Sequence, residues 1–418
     1  MKTRLLFPTL ALLLVALRAS GQAPVALDDY CAAVDAYSRQ LKIAAARSDE
    51  ASEELGRART GRLPRLTLDG NFTAVTRNAA GGKLWTFDLG PQVVQTLYGG
   101  GGVGAAIDGA ELGYDAARSD EEFTRSEVRY AAEYAYWNLS AMRLYVASMR
   151  EYVGVIRSLK RVVDRRFEEG YIARGDVLMI DTRLGEAEYR LANAEQRADV
   201  ALHDFNVLRG EAPDAAVTLA ASIRDSLPEP LRVATGEVLD RRADYAAARL
   251  RSEQAAAGVR SAVAPFNPQL SVGAGAAWQP SAPNVSGRTY LDGVAFVRLS
   301  VPLFRGGERR RAAAAARAVQ RQSEWRSEQL RDDIVRQESD GWTALRQSIA
   351  RLGASARNLR VAGENLSIST YSYGEGMTTV LDVLQAQLSW IQLYTNDIEA
   401  RFDRAVAEAD YRRITARP

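Results

Sequence analysis

Leu97-Tyr98-Gly99-Gly100-Gly101 returns as Leu303-Phe304-Arg305-Gly306-Gly307, and Gly170 with Asp176-Val177-Leu178 returns as Gly376 with Asp382-Val383-Leu384. Both landmarks recur at one offset, 206 residues (97 to 303, and 170 to 376). Self-similarity at so long a period means two copies of one large unit, not a short-repeat solenoid. A chain of 418 residues ordinarily suggests two or three domains. The repeat predicts instead one duplicated body, with a first copy over 22–208 and a second over 236–418. Between them, 209–235 carries Pro213, Pro228 and Pro230 and interrupts the helical pattern.

Around these landmarks the sequence alternates with period two. Leu66, Leu68, Gly70, Phe72 and Ala74 fall on one face, against Thr67, Asp69, Asn71 and Thr73. Trp85, Phe87, Leu89 and Val93 oppose Thr86, Asp88, Gln92 and Thr96. The second copy repeats this over 269–279 and 292–301, where Val294 and Phe296 break an otherwise polar face. The spacing predicts two β-hairpins, 65–98 and 269–301, with turn-rich loops at 77–83 and 280–291. Alternation alone is equally compatible with half-buried hairpins of a soluble domain. Strand length fits a tilted membrane crossing, and Trp85 and Trp278 sit near strand ends, where an interfacial aromatic girdle would lie. Four strands cannot enclose an aqueous lumen, since even eight are filled by side chains. Unpaired edges are not tolerated in lipid. Spanning strands would therefore have to be pooled between chains, and three chains would give twelve.

The remainder reads as helix. Val177, Leu184, Leu191, Ala198 and Phe205 recur every seven residues, as do Ile180, Ala187, Ala194, Ala201 and Leu208. The second copy keeps 4-3 spacing from Leu384 through Leu388, Ile391, Thr395, Ile398, Phe402, Ala405 and Ala409. These are coiled-coil seams. Proline-free helices are predicted over 105–169 and 308–373, flanked by shorter ones at 26–62, 176–208, 238–264 and 378–414. Heptads by themselves favour an ordinary coiled-coil or spectrin-like structural protein, but they do not account for the paired hairpins or the long-range duplication.

Bulk composition excludes several functions. Fifty-four basic residues against 52 acidic leave a net charge of +2, with no nucleic-acid footprint. One cysteine, Cys31, and one histidine, His203, rule out a Cys/His zinc site and an intrachain disulfide. No phosphate-binding glycine loop or nucleophilic constellation is present, so the reading is not an enzyme, with no cofactor and no metal. Lys2 and Arg4, an apolar run over 5–17 and Ala19-Ser20-Gly21 read as a signal peptide over 1–21. Cys31 follows Asp28-Asp29-Tyr30 rather than small residues, which is not the lipoprotein arrangement.

With these motifs in place the chain resembles the TolC-like outer-membrane efflux protein family. The resemblance rests on Pro64-Arg65-Leu66-Thr67-Leu68, Pro268-Gln269-Leu270-Ser271-Val272, Val301-Pro302-Leu303-Phe304-Arg305-Gly306-Gly307, Arg242-Ala243-Asp244-Tyr245 and the two Gly…Asp-Val-Leu stretches. Each is weak alone; their order and spacing span almost the whole chain. The resemblance implies a mainly α fold with membrane β, in which a homotrimer forms a 12-stranded β-barrel above a long periplasmic α-helical barrel. It implies a passive, porin-like exit duct of a tripartite efflux system. The duct would sit in outer-membrane lipid and be coupled through a periplasmic adaptor (membrane fusion) protein to an inner-membrane pump. A type I secretion duct of the same family is the alternative.

The resemblance also implies a gate at helix–turn–helix tips over 169–175 and 374–379. Asp382 matches a position whose carboxylates ring the closed aperture, and Tyr373 matches a tyrosine at the constriction. Where some members carry a second gate aspartate this chain has Gln385, and where some carry a locking arginine it has Thr378. Arg174 is then the candidate lock partner for Asp176, and Gly170 and Gly376 shape the turns that would meet the adaptor. A purely local role stays open: Asp176 and Asp382 as N-caps of helices starting at Val177 and Val383. Asp69, Asp88 and Asp292 are expected to line the lumen and favour cations, opposed by Arg298. Five methionines and one histidine give no copper- or silver-binding cluster, which favours organic substrates.

Overall fold

The computed structural model describes residues 24–74, 76, 84–281 and 290–417. The expected signal segment 1–21 lies outside them, as do most of both hairpin loops. The element order is α1 (Leu27–Tyr37), α2 (Arg39–Thr60), β1 (Arg65–Ala74), β2 (Trp85–Gly99), α3 (Gly102–Glu168), α4 (Arg174–Leu208), α5 (Thr235–Arg241), α6 (Ala243–Val263), β3 (Gln269–Ser281), β4 (Tyr290–Ser300), α7 (Glu308–Gly374) and α8 (Val380–Ile414). The duplicated plan is plain: α3 and α7 are 67 residues each, and α4 and α8 are 35 each. The chain divides into two compact units. One gathers the N-terminal residues to Arg39, Arg125–Ala234 and Gln337–Pro418, the other Gln40–Thr124 and Thr235–Arg336.

The second unit holds the sheet. Its order is β1-β2-β3-β4 with every pairing antiparallel, so β1 and β4 are edges. Directly opposed residues in an antiparallel pair share a face. Leu66 pairs with Val93, Phe72 with Phe87, Val93 with Ala274, Leu89 with Trp278 and Val272 with Val297, which assembles one apolar face across four strands. That face is open in the single chain, with Leu66 71%, Phe72 66% and Val297 72% exposed. Thr67 opposite Gln92, Asn71 opposite Asp88 and Ser271 opposite Arg298 make the other face polar.

Two departures from simple alternation have local causes. Register shifts lie between Phe87 and Leu89 and between Thr96 and Tyr98. The second pairs Tyr98 with Leu270 and so carries Tyr98 to the apolar side. Phe296, on the polar face, lies over Gly273, where an added Cβ would come within 2.4 Å of the ring. Arg298 in turn stacks on Phe296 at 5.1 Å.

The first unit holds a helical core. Ile180, Ala187, Ala194 and Ala201, one heptad row of α4, are all 2% exposed or less. The companion row of Val177, Leu184, Leu191 and Ala198 packs against that core from the side. α8 contributes Val383, Leu384 and Ile391, and α3 adds Tyr152, Ile156 and Val163. Alanine at the deepest positions of α4 lets helix axes approach closely.

Two expected helices are broken. The predicted helix over 26–62 is interrupted at Ser38 (φ −47°, ψ 121°), beside which Tyr37 lies against Gly210. The predicted helix over 238–264 begins earlier, at Thr235, and is split at Arg242, whose extended backbone caps α6. The segment between Leu208 and Thr235 has no regular element beyond the isolated bridge Val25–Leu219. Its backbone polar groups are met by side chains instead. Tyr136 and Ser140 of α3 accept from the Ala221 and Ile223 N–H groups, Tyr411 of α8 accepts from Val233, and Arg404 donates to the Pro228 carbonyl. Arg232 makes a bidentate pair with Glu338, 3.0 Å on each arm, and Glu338 is fully buried.

Two outcomes follow from these contacts. A Cβ at Gly90 would stand 1.7 Å from the Ala276 carbonyl oxygen, so Gly90→Val should prevent β2–β3 pairing and abolish membrane insertion in a liposome-extraction assay, while Gly293→Val, with open space around it, should insert normally. Removing Arg232 leaves the Glu338 carboxylate without its cation, which destabilises the fold. Arg232→Ala should therefore lower the thermal midpoint clearly more than Arg232→Lys. Arg232 holds the Glu338 carboxyl below its ordinary value. A depressed carboxylate contributes stability above its unfolded value and loses it as pH falls through the folded one. The wild-type advantage over Arg232→Ala should be full at neutral pH and shrink in acid.

Candidate functional site

The two tips are built by one motif used twice. In the first, Gly170 takes φ 77°, its N–H meets the Phe167 carbonyl at 3.0 Å, and Tyr171 N–H meets the Arg166 carbonyl at 2.8 Å. In the second, Gly376 takes φ 78°, with Gly376 N–H on Tyr373 at 3.1 Å and Met377 N–H on Ser372 at 2.9 Å. Both are Schellman ends, in which a left-handed residue satisfies the last helical carbonyls, and glycine is the residue that adopts it without penalty.

The following helices start earlier than the sequence suggested, and this changes the role of both aspartates. α8 begins at Val380 with Thr379 as N-cap. Asp382 is its third residue and closes a capping box, so it is not the N-cap of a helix starting at Val383. Its Oδ2 accepts from Thr378 Oγ1 at 2.6 Å, Thr379 Oγ1 at 2.6 Å and Thr379 N–H at 3.0 Å. These donors hold its carboxyl down at about 2. Asp382 therefore carries a fixed negative charge at every physiological pH, while remaining exposed. Gln385 is exposed one turn further on. Asp176 is likewise the third residue of α4, whose N-cap is Ala173, with no side-chain cap at all. The hydroxyl of Thr379 at one tip, and nothing at the other, is why neither aspartate occupies the cap itself.

Arg174 is exposed, and among the described residues it forms no hydrogen bond or ion pair. Arg166, near the end of α3, is the arginine that reaches across the tips. Its guanidinium lies 4.6 Å from the centre of the Tyr373 ring, and its Nη2 donates to the Gly374 carbonyl at 2.8 Å. That carbonyl is one of the unpaired acceptors at the end of α7, a natural partner for a cation. Tyr373 is buried, and burial pushes its phenol up against the opposing pull of Arg166. Beside it, Gln387 is 1% exposed, and neither amide atom has a hydrogen-bond partner among the described residues. An open groove of about 940 Å³ runs past this pair, lined by Gly154, Ser158, Gly363 and Ser367 with Trp390 at its side.

Neither Arg166 nor Gln387 was singled out from sequence. A basic pair, Arg165-Arg166, in the last turn of α3 is a helix-end signature. Its partner lies 208 residues away, beyond the reach of any spacing rule. Gln387 lies one residue off the predicted α8 seam of Leu384, Leu388 and Ile391, so heptad spacing carries no signal for it.

On the sheet, Asp69 accepts from Thr67 at 2.9 Å and Asp88 from Asn71 at 3.1 Å, both on the polar face. The Asp292 side chain lies outside the described residues. Trp85 and Trp278 are about two-fifths exposed on the apolar face, each in an aromatic pair, Phe72–Trp85 at 6.1 Å and Phe87–Trp278 at 6.2 Å. Among the described residues, no helix is long and apolar enough to cross a membrane, and no group of three or more His, Cys, Asp or Glu is placed to hold a metal.

The fold is shared with solved outer-membrane channels. The outer membrane protein VceC of Vibrio cholerae superimposes with a TM-score of 0.81 at 20% identity, over 93% of this chain and 95% of that one. CusC, studied for the conformational changes that accompany its folding and transmembrane channel formation, gives 0.83 at 16%, over 96% of each. The open state of the Neisseria gonorrhoeae MtrE outer membrane channel gives 0.77 at 18%, over 94% and 89%. No match was found among curated protein sequences. The profile of the outer membrane efflux protein family matches residues 34–210 and 234–417, both copies of the repeat. The chain belongs to the outer membrane efflux protein family, whose fold is that of a passive outer-membrane channel with a large periplasmic part.

Proposed function

We propose that three copies pool their sheets into one closed 12-stranded barrel, and that the helical tips carry the gate of this efflux duct. The observation that supports the reading best is the sheet itself: an outward apolar face with unpaired edges at β1 and β4. In water that face would be buried, which disfavours a soluble coiled-coil protein. In lipid the edges must find partners, and closure with further copies supplies them. Trp85 and Trp278 then lie in the interfacial girdle. Asp69, Asp88 and Arg298 face the lumen.

At the tips, three Asp382 carboxylates, one from each copy, crowd the aperture with Gln385 behind them. Charged at neutral pH, they act as a cation-attracting ring. Arg166 on Tyr373 and Gly374 is the lock, in place of Arg174 on Asp176. The unpaired Gln387 opposes closure, since a buried amide without partners costs about 1–3 kcal/mol for each unmet group. Closed packing is then marginal, and an adaptor binding near Gly170, Gly376 and Thr378 can shift it toward an open arrangement. Energy comes from an inner-membrane pump. The absence of a methionine- or histidine-rich stretch favours an organic cargo for a tripartite pump over a metal ion.

Planar-bilayer recordings test this reading. The wild type should give small, cation-selective openings, and Asp382→Ala should enlarge them and weaken selectivity. The Thr378 and Thr379 donors lower each carboxyl, while crowding of three like charges raises it, so selectivity should be full at neutral pH and be lost as pH falls through the carboxylate range. Channels that ignore Asp382→Ala would remove Asp382 from the gate. In the same assay Arg166→Ala should increase open probability several-fold and Gln387→Leu should decrease it. If both shift it the same way, the proposed balance at the tip is wrong.

A further inference from the structure

Where the sheet meets the helices, charge is divided unevenly among the four strands. β1 begins at Arg65 and β4 ends at Ser300, and the antiparallel register puts both at the same end, beside the end of β2 and the start of β3. The inner strands carry no charge there: no Asp, Glu, Lys or Arg occurs over 89–107 or over 261–281. The edge strands are basic. Arg57, Arg59, Arg62 and Arg65 lie between Glu54 and Asp69 with no acid among them. Arg305, Arg309, Arg310 and Arg311 follow β4, and Glu308 is the only acid between Asp292 and Glu324. Arg57 pairs with Glu54 at 3.3 Å, and the Arg305 guanidinium lies 5.4 Å from the centre of the Phe266 ring. The others are exposed, and among the described residues they form no ion pair. The same connections leave Leu63 61%, Leu303 93% and Phe304 88% exposed.

We propose that this end of the sheet binds anionic phospholipid headgroups, with the arginines beside β1 and β4 on the phosphates and Leu303 and Phe304 among the acyl chains. The inference rests on the closed-barrel reading and adds what surrounds the barrel at its periplasmic end. The apolar face of Leu66, Phe72 and Val297 ends where β1 begins and β4 stops, so the residues just beyond stand at headgroup depth. An arginine there can lay its stem on apolar surface and keep its guanidinium with water and phosphate. The planar fork matches two phosphate oxygens at once. Closure strengthens the case. It sets β1 of one copy beside β4 of the next, so two clusters of like charge meet at every seam. Against them the chain offers Glu308 and Glu54, and Glu54 already holds Arg57. An anion lodged between the clusters turns that repulsion into attraction. Each basic residue close to an anionic lipid surface strengthens binding about fivefold. Leu303 and Phe304, costly to leave in water side by side, supply the apolar half of an interfacial contact.

The test uses the full mature chain in a neutral detergent, with phosphatidylglycerol or phosphatidylcholine added at equal mole fraction. Native mass spectrometry counts the lipids retained, and circular dichroism gives the thermal midpoint. The wild type should retain phosphatidylglycerol over phosphatidylcholine by about tenfold and melt higher with it, and high salt should weaken both effects. Arg305→Gln/Arg309→Gln/Arg310→Gln/Arg311→Gln should lose most of that preference, and so, separately, should Arg59→Gln/Arg62→Gln/Arg65→Gln. The matching lysine sets should keep it. With the seam repulsion gone, both glutamine sets should assemble in detergent at least as well as the wild type. Leu303→Ser/Phe304→Ser should weaken retention of the two lipids alike. Wild-type trimers without a preference, glutamine sets that keep it, or glutamine sets that fail to assemble would overturn the lipid site and leave the barrel intact. A folded wild type that neither assembles nor enters liposomes would overturn the barrel reading beneath it.

Discussion

A backbone N–H or C=O left unpaired in hydrocarbon costs several kcal/mol, and this constraint organises the molecule. Four antiparallel strands with an apolar face present two open edges, β1 and β4, and among the described residues no element covers the apolar face of β1. Such a sheet is incomplete as a membrane structure and unsuited to water. Duplication supplies two hairpins where one would offer fewer strands, and each hairpin is held between helices that continue the chain out of the sheet. The glycines at the exits, Gly100 and Gly101 with φ 66° and 86°, and Gly306 and Gly307 with φ 54° and 82°, turn strand into helix where other residues would be strained.

At the other end of the long helices the governing quantity is the balance of a packed core with polar groups left in it. The α4 seam is close-packed through alanine, and the α8 seam brings Leu384 and Ile391 to the same core. Into this core the chain inserts Gln387, unpaired, and the Tyr373 ring roofed by Arg166. An apolar residue at 387 would pack better and hold one arrangement more firmly. The gate proposed at these tips requires two arrangements of similar free energy, and an imperfect core is a direct way to keep them close.

Much of this was legible in sequence because it is periodic. Period two placed Leu66, Phe72 and Val272 on one face, and the pairing register agrees. Period seven placed Ile180, Ala187, Ala194 and Ala201 in one row, and that row is the core. What escaped was set by single contacts. The helix before Asp382 starts at Val380 because the Thr379 hydroxyl caps it, a choice between adjacent polar residues that periodicity cannot make. The breaks at Ser38 and Arg242 lie in sequence that would otherwise continue as helix. Arg166 was hidden among many arginines, since only the fold brings it to Gly374.

The two tips, alike in their turns, differ in how their second helices begin, and this bears on which one yields first. A side-chain cap is worth about 0.5–2 kcal/mol. α8 has a full capping box from Thr379 and Asp382, whereas α4 starts from Ala173 with none. The first turn of α4 is therefore the softer of the two and the one better able to re-form against a partner. The first turn of α8 is the more firmly held, by three donors on the Asp382 carboxylate. In the gate proposed above, a charge held on a capped turn and a second turn without a cap would divide selectivity from motion between the two repeated hairpins.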